Sequence, residues 1–104
     1  MSTRSRYQAV SELIAELHAD SELLQSLEAD ELIHLKRTAE GELVISSEDA
    51  DRVRVVLLLT TELEVNRPGA EVIIHMRDTM LAMQRQFSEI LEALVDEMRR
   101  RASG

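Results

Sequence analysis

Residues 59–80 read LTTELEVNRPGAEVIIHMRDTM, and the chain's only proline, Pro68, stands near their centre. Proline fixes φ and lacks an N–H, so inside a helix it is tolerated only in the first turn. Asn66, two residues earlier, is a good side-chain cap for such a turn. Asn66, Pro68 and Gly69 therefore read as a hinge, with one helix ending near Glu64 and another starting at Arg67. After Gly69 neither proline nor glycine recurs before Gly104, so the second helix is expected to reach about Arg101.

Along that helix Ile73, Met76, Met80, Met83, Phe87, Ile90 and Leu94 are spaced by 3, 4, 3, 4, 3 and 4. This is the a/d pattern of a coiled coil. A helix of about 35 residues is about 50 Å long, more than a domain this small can cover. Packing back on its own body would occupy only its first turns. The remaining seam needs another surface, and the same helix of a second chain is the simplest one, which makes the expected assembly a homodimer. Met and Phe layers leave the strand direction of that pair open.

The rest of the composition bounds the function. The 104 residues make one small domain with room for a modest core and little for a deep cleft. Tyr7 and Phe87 are the only aromatics and cysteine is absent, so Leu, Ile, Val, Ala and Met fill the core, and disulfides and thiolate metal sites are excluded. The opening MSTRSRYQAV lacks the apolar run of a secretion signal, and the longest apolar run, Val55 to Leu59, cannot span a bilayer. A cytoplasmic protein without membrane contact is the expectation.

Charge is unevenly placed. Residues 1–50 hold four Lys/Arg against eleven Asp/Glu, a balance of −7, and residues 51–104 hold eight against nine, a balance of −1. The first half repels nucleic acid and attracts basic surfaces, although acidic residues also serve solubility alone.

Before the hinge, Val10, Leu13, Ile14 and Leu17 predict a short helix over about 8–18. Asp20 or Ser21 caps a second helix with Leu23, Leu24 and Leu27 on its apolar face, ending near Asp30. The two form a helix-turn-helix. Residues 33–37 and 42–45, joined by Thr38-Ala39-Glu40-Gly41, predict a small β-hairpin wing. Ser46 and Ser47 ahead of Glu48, Asp49 and Asp51 start a third helix whose stripe Val53, Val56, Leu57, Thr60 and Leu63 runs to about Glu64. The fold class is mainly α, a winged helix-turn-helix body over 1–64 followed by a hinge and long dimerisation helix over 65–104.

This order resembles the MerR-like winged-helix superfamily. The stretch from Val53-Arg54 through Leu58-Leu59 to Thr61-Glu62-Leu63-Glu64-Val65-Asn66-Arg67-Pro68-Gly69-Ala70-Glu71-Val72-Ile73-Ile74 is similar to its chaperone-modulator (CbpM-like) branch. The resemblance covers residues 8–95 in layout and 50–85 in motif. Glu64 stands where that branch commonly has glycine. The superfamily resemblance implies DNA contact by the second helix and wing. The branch resemblance implies binding of the J-domain of a DnaJ/CbpA-like co-chaperone, held away from its Hsp70.

The stretch 21–31 has no Lys or Arg and four acids, Glu22, Glu28, Asp30 and Glu31, the wrong sign for phosphate. With Asp20 they are the candidate partner-binding residues for a basic J-domain surface, each also readable as ordinary solvated helix surface. Lys36, Arg37, Arg52 and Arg54 are the alternative DNA-contacting residues. Catalysis has no carrier here. His18, His34 and His75 lack i, i+4 ligand spacing, and neither a phosphate loop nor a nucleophile motif occurs. The expectation is a non-enzyme with no cofactor, metal or small-molecule substrate.

Overall fold

The computed structural model describes residues 6–103. Its elements are β1 (Tyr7–Ala9), α1 (Val10–Leu17), α2 (Ser21–Ala29), β2 (Leu35–Arg37), β3 (Leu43–Ser46), α3 (Ser47–Leu57) and α4 (Arg67–Ser103), with a π-helical turn, Leu58–Glu62, after α3. The architecture is the mainly helical winged helix-turn-helix with a long final helix. Residues up to Glu71 form one compact unit, and those from Val72 onward form a second.

The sheet has three strands in the order β1-β3-β2, one more than the expected hairpin. Tyr7, Gln8 and Ala9 pair antiparallel with Ser46, Ile45 and Val44, so the helix placed at 8–18 begins instead at Val10. A three-residue edge strand is too short to carry an alternating signal, and its partner lies far along the chain. On the other edge Leu35, Lys36 and Arg37 pair with Ile45, Val44 and Leu43.

The core of the first unit draws on every helix. Val10 and Leu13 of α1, Leu24 and Leu27 of α2, Ile45 of β3 and Ala50, Val53 and Val56 of α3 are all buried, with Leu32 and Ile33 from the connecting loop. Leu24 and Leu27 turn one side of α2 inward, which leaves its polar side facing solvent.

Both helix-turn-helix helices end in a left-handed residue. His18 (φ 54) closes α1, with the Ala19 N–H donating to the Ile14 carbonyl at 3.1 Å. Glu31 (φ 63) closes α2, with the Leu32 N–H on Leu27 and the Glu31 N–H on Glu28, both at 2.9 Å. These are Schellman closures with a side chain where glycine is usual. The start of α3 is also tied down. Ser46 Oγ accepts from the Asp49 N–H at 3.1 Å, while the buried Asp49 carboxylate accepts from the His34 N–H at 2.8 Å and from Arg52 at 3.0 Å. One carboxylate thus holds the loop after α2 against α3.

At the hinge the helix that was expected to run to Glu64 widens. The Leu63 N–H reaches back to the Leu58 carbonyl at 3.2 Å, and the Thr60 hydroxyl donates to the Val56 carbonyl at 2.8 Å. Such side-chain back-bonding bends helices. Glu64 then adopts φ 56, and the Val65 N–H closes on Leu59 at 2.8 Å. Asn66 Oδ1 accepts from the Gly69 N–H at 2.8 Å, the cap expected for α4. A Cβ on Gly69 would lie 3.0 Å from Val65 Cγ1 and 3.1 Å from Asn66 Oδ1, a tight fit in which those side chains would have to shift by a few tenths of an ångström.

The left-handed region costs an L-residue about 1–2 kcal/mol, whereas glycine enters it freely at the expense of a larger unfolded-state entropy. Glu64→Gly is therefore expected to stabilise the fold by about 0.5–1 kcal/mol, read as a higher denaturation midpoint. A lower midpoint would show that the glutamate side chain contributes to the hinge.

Candidate functional site

Two surfaces of the first unit and one of the second carry the residues singled out by sequence. The first is the solvent side of α2. Asp20 caps it, its Oδ1 accepting from the Leu23 N–H at 2.8 Å. Glu22 lies in the first turn, where a carboxylate meets the positive end of the helix. Glu28 Oε2 accepts from the Leu35 N–H at 3.1 Å. Asp30 forms an ion pair with Arg67 at 2.9 Å, and Glu31 occupies the left-handed closure. All five are exposed. Three of them thus have structural partners, which the sequence pattern does not indicate. Among the described residues, Asp20 and Glu28 are engaged through neutral backbone N–H groups and have no cation paired with them. No Lys or Arg occurs between Arg6 and Lys36, so the whole helix-turn-helix is free of strong cations.

The second surface is cationic and lies on the sheet. Lys36 Nζ donates to the Tyr7 hydroxyl at 2.9 Å and sits 5.1 Å from its ring centroid. This cation–π contact and hydrogen bond join two edge strands across β3. The Tyr7 hydroxyl holds the exposed Lys36 ammonium above its ordinary pKa, so it stays charged. Arg37 donates to the Gly41 carbonyl at 2.9 Å across the wing turn. Arg52 and Arg54, grouped with these by sequence, are placed differently. Arg52 pairs with Asp49 at 3.0 Å and donates to the Leu32 carbonyl at 3.3 Å. Arg54 pairs with Glu16 at 3.1 Å and Asp51 at 2.8 Å. Their charges are matched by carboxylates of the same chain, which separates Arg52 and Arg54 in role from Lys36 and Arg37.

The third surface runs along α4. Ile73, Met76, Met80, Met83, Phe87, Ile90 and Leu94 are all exposed, Met80 by 65 % and Phe87 by 62 %. Sequence spacing missed a flank of further exposed apolar residues, Leu91, Val95 and Met98, which broadens the stripe toward the end of α4. Their offset from the heptad was the available signal. Contiguous exposed apolar surface of this kind marks an interaction site. Among the described residues no three His, Cys, Asp or Glu side chains are grouped to hold a metal ion, and no helix is long and apolar enough to cross a membrane.

A family model described as MerR HTH family regulatory protein matches residues 9–92, which takes in the helix-turn-helix, the wing, the hinge and most of α4. No curated protein and no solved structure matches the chain.

The Tyr7–Lys36 contact has a direct readout. Tyr7→Phe should lower the Lys36 pKa toward the ordinary lysine value, followed by NMR of the side-chain ammonium. An unchanged value would show that the hydroxyl does not hold the ammonium.

Proposed function

We propose, from the premise that the chain belongs to the MerR HTH family of regulatory proteins, that it is a non-enzymatic chaperone modulator of the CbpM-like branch. Its target is the J-domain of a DnaJ-like co-chaperone, which it grips through the acidic side of α2 and keeps from its Hsp70. The observation that carries this reading is the sign of α2. The helix stands where a DNA-reading helix would stand, yet exposes Asp20, Glu22, Glu28, Asp30 and Glu31 and has no Lys or Arg. A duplex carries a negative charge about every 1.7 Å, and a helix without a cation releases no counterions from it. A basic protein surface gains from the same carboxylates, through faster association and through discrimination against acidic partners. The resemblance of residues 50–85 to the branch supplies the J-domain as that surface.

The body, residues 1–64, carries recognition in this reading, and residues 65–104 carry association. The exposed seam of α4 pairs with the α4 of a second copy, so the homodimer offers two equivalent α2 faces. Inhibition is then steric competition steered by charge.

A second reading, a dimeric DNA-binding transcriptional regulator, is favoured by the family as a whole and by the exposed Lys36 and Arg37 on the wing. The two readings part in a paired experiment. The chaperone modulator retains a J-domain in a salt-sensitive pull-down, abolishes the co-chaperone's stimulation of Hsp70 ATPase and gives no gel shift. The regulator shifts promoter DNA, with a retention that falls steeply with salt and falls again on charge reversal of Lys36 and Arg37. Undiminished Hsp70 stimulation in the presence of excess protein would sink the first reading.

Association has its own test. Met83→Asp or Phe87→Asp places a carboxylate in the middle of the seam and should give a monomer in sedimentation equilibrium. A dimer that survives both changes would place the association surface elsewhere.

A further inference from the structure

We propose that Arg67 is an internal competitor for the acidic face of α2, so that a cationic partner docks fully by displacing it from Asp30. This inference rests on the reading of α2 as the partner-binding face. Arg67 opens α4, one residue after the Asn66 cap, and its side chain reaches back to the end of α2. Its Nη2 lies 2.9 Å from Asp30 Oδ2 and 3.2 Å from Ser26 Oγ, while its Nε faces Glu71 Oε2 at 3.4 Å. The guanidinium therefore lies between a carboxylate of α2 and a carboxylate of its own helix.

Asp30 differs in this from the other proposed contacts. Asp20 accepts from the Leu23 N–H and Glu28 from the Leu35 N–H, neutral donors that leave the carboxylate charge for a partner. Among the described residues, Asp30 alone of the five has a cation against it. Arg67 already holds one oxygen of Asp30 and offsets its charge, and a second cation brought to the same carboxylate is repelled by the first. Docking of an arginine or lysine at this end of α2 is accordingly favoured by exchange. The Asp30–Arg67 pair opens and the partner's cation takes the carboxylate. Arg67 then turns toward Glu71 and solvent.

The exchange is energetically accessible. The side chains of Asp30 and Arg67 are 46 % and 28 % exposed, so the pair is partly solvated and weak enough for a partner to replace. Because Arg67 belongs to the first turn of α4, occupation of α2 is also felt at the hinge. The Gly69 and Ala70 amides, which donate to Asn66 Oδ1 at 2.8 Å and to the Asn66 carbonyl at 2.9 Å, report on that turn.

The test is a calorimetric titration of a J-domain into the full chain and into Arg67→Met at low salt. Arg67→Met, which keeps the apolar stem, should bind about three-fold more tightly, the effect of removing one exposed competing pair. Arg67→Gln, which keeps a hydrogen-bonding head for Ser26, should also tighten binding and serves if the Met variant melts too early. In an Asp30→Asn background the gain should vanish, so that D30N and D30N/R67M bind alike. A gain that persists there would reduce Arg67 to general surface charge and overturn the proposal. Unchanged or weaker binding by both Arg67 variants, with the wild type binding, would overturn it while leaving the function intact. A wild type that binds no J-domain would overturn the function and this inference with it.

Discussion

A carboxylate cannot be pressed against a phosphate without a cation between them, and this constraint governs how the protein can work. The helix-turn-helix scaffold has the layout that reads DNA elsewhere in its family, with α2 capped by Asp20 and set on a core of Leu24 and Leu27. Its exposed side carries Asp20, Glu22, Glu28, Asp30 and Glu31 and no Lys or Arg. The nearby arginines do not correct the sign. Arg52 and Arg54 are matched to Asp49, Glu16 and Asp51. Under the proposed function this face suits a cationic surface, and Lys36 and Arg37, the other two candidate DNA-contacting residues, lie on the wing rather than on the helix.

The hinge connects this surface to α4 through a few backbone-determined contacts. The Thr60 back-bond and the π-helical turn end α3, the left-handed Glu64 redirects the chain, and the Asn66 cap restarts it. Gly69 fits closely beneath Val65 and Asn66. Pro68 fits because the first turn of a helix needs no N–H from it. Arg67 then ties the same turn to Asp30 and Ser26 at the end of α2. The end of α2 and the start of the long helix are thus tied by one side chain.

Much of this was legible in the sequence because it rests on local rules. Periodicity placed α1, α2 and α4, capping residues placed the start of α2 at Asp20 or Ser21, of α3 at Ser46 or Ser47 and of α4 at Asn66, and the single proline placed the hinge. The misses are non-local. β1 is held by pairing with β3, so no pattern in Tyr7-Gln8-Ala9 announces it. The π-helical turn arises from hydroxyl back-bonding and from the turn that follows, and in sequence it reads as a continuing helix. The matching of Arg54 to Glu16 and of Arg67 to Asp30 depends on which helix ends meet in space. The acidic character of α2 was readable residue by residue. Which of its carboxylates already had partners was not.

The central claim is that α2, and not the wing, is the recognition surface. The most direct measurement is an amide NMR titration of the isotope-labelled full chain with an unlabelled J-domain. The account predicts shift changes concentrated over residues 20–31, with smaller ones at 66–71 where Arg67 begins α4. Changes confined to residues 35–46, or changes over 20–31 produced by duplex DNA but not by the J-domain, would contradict it.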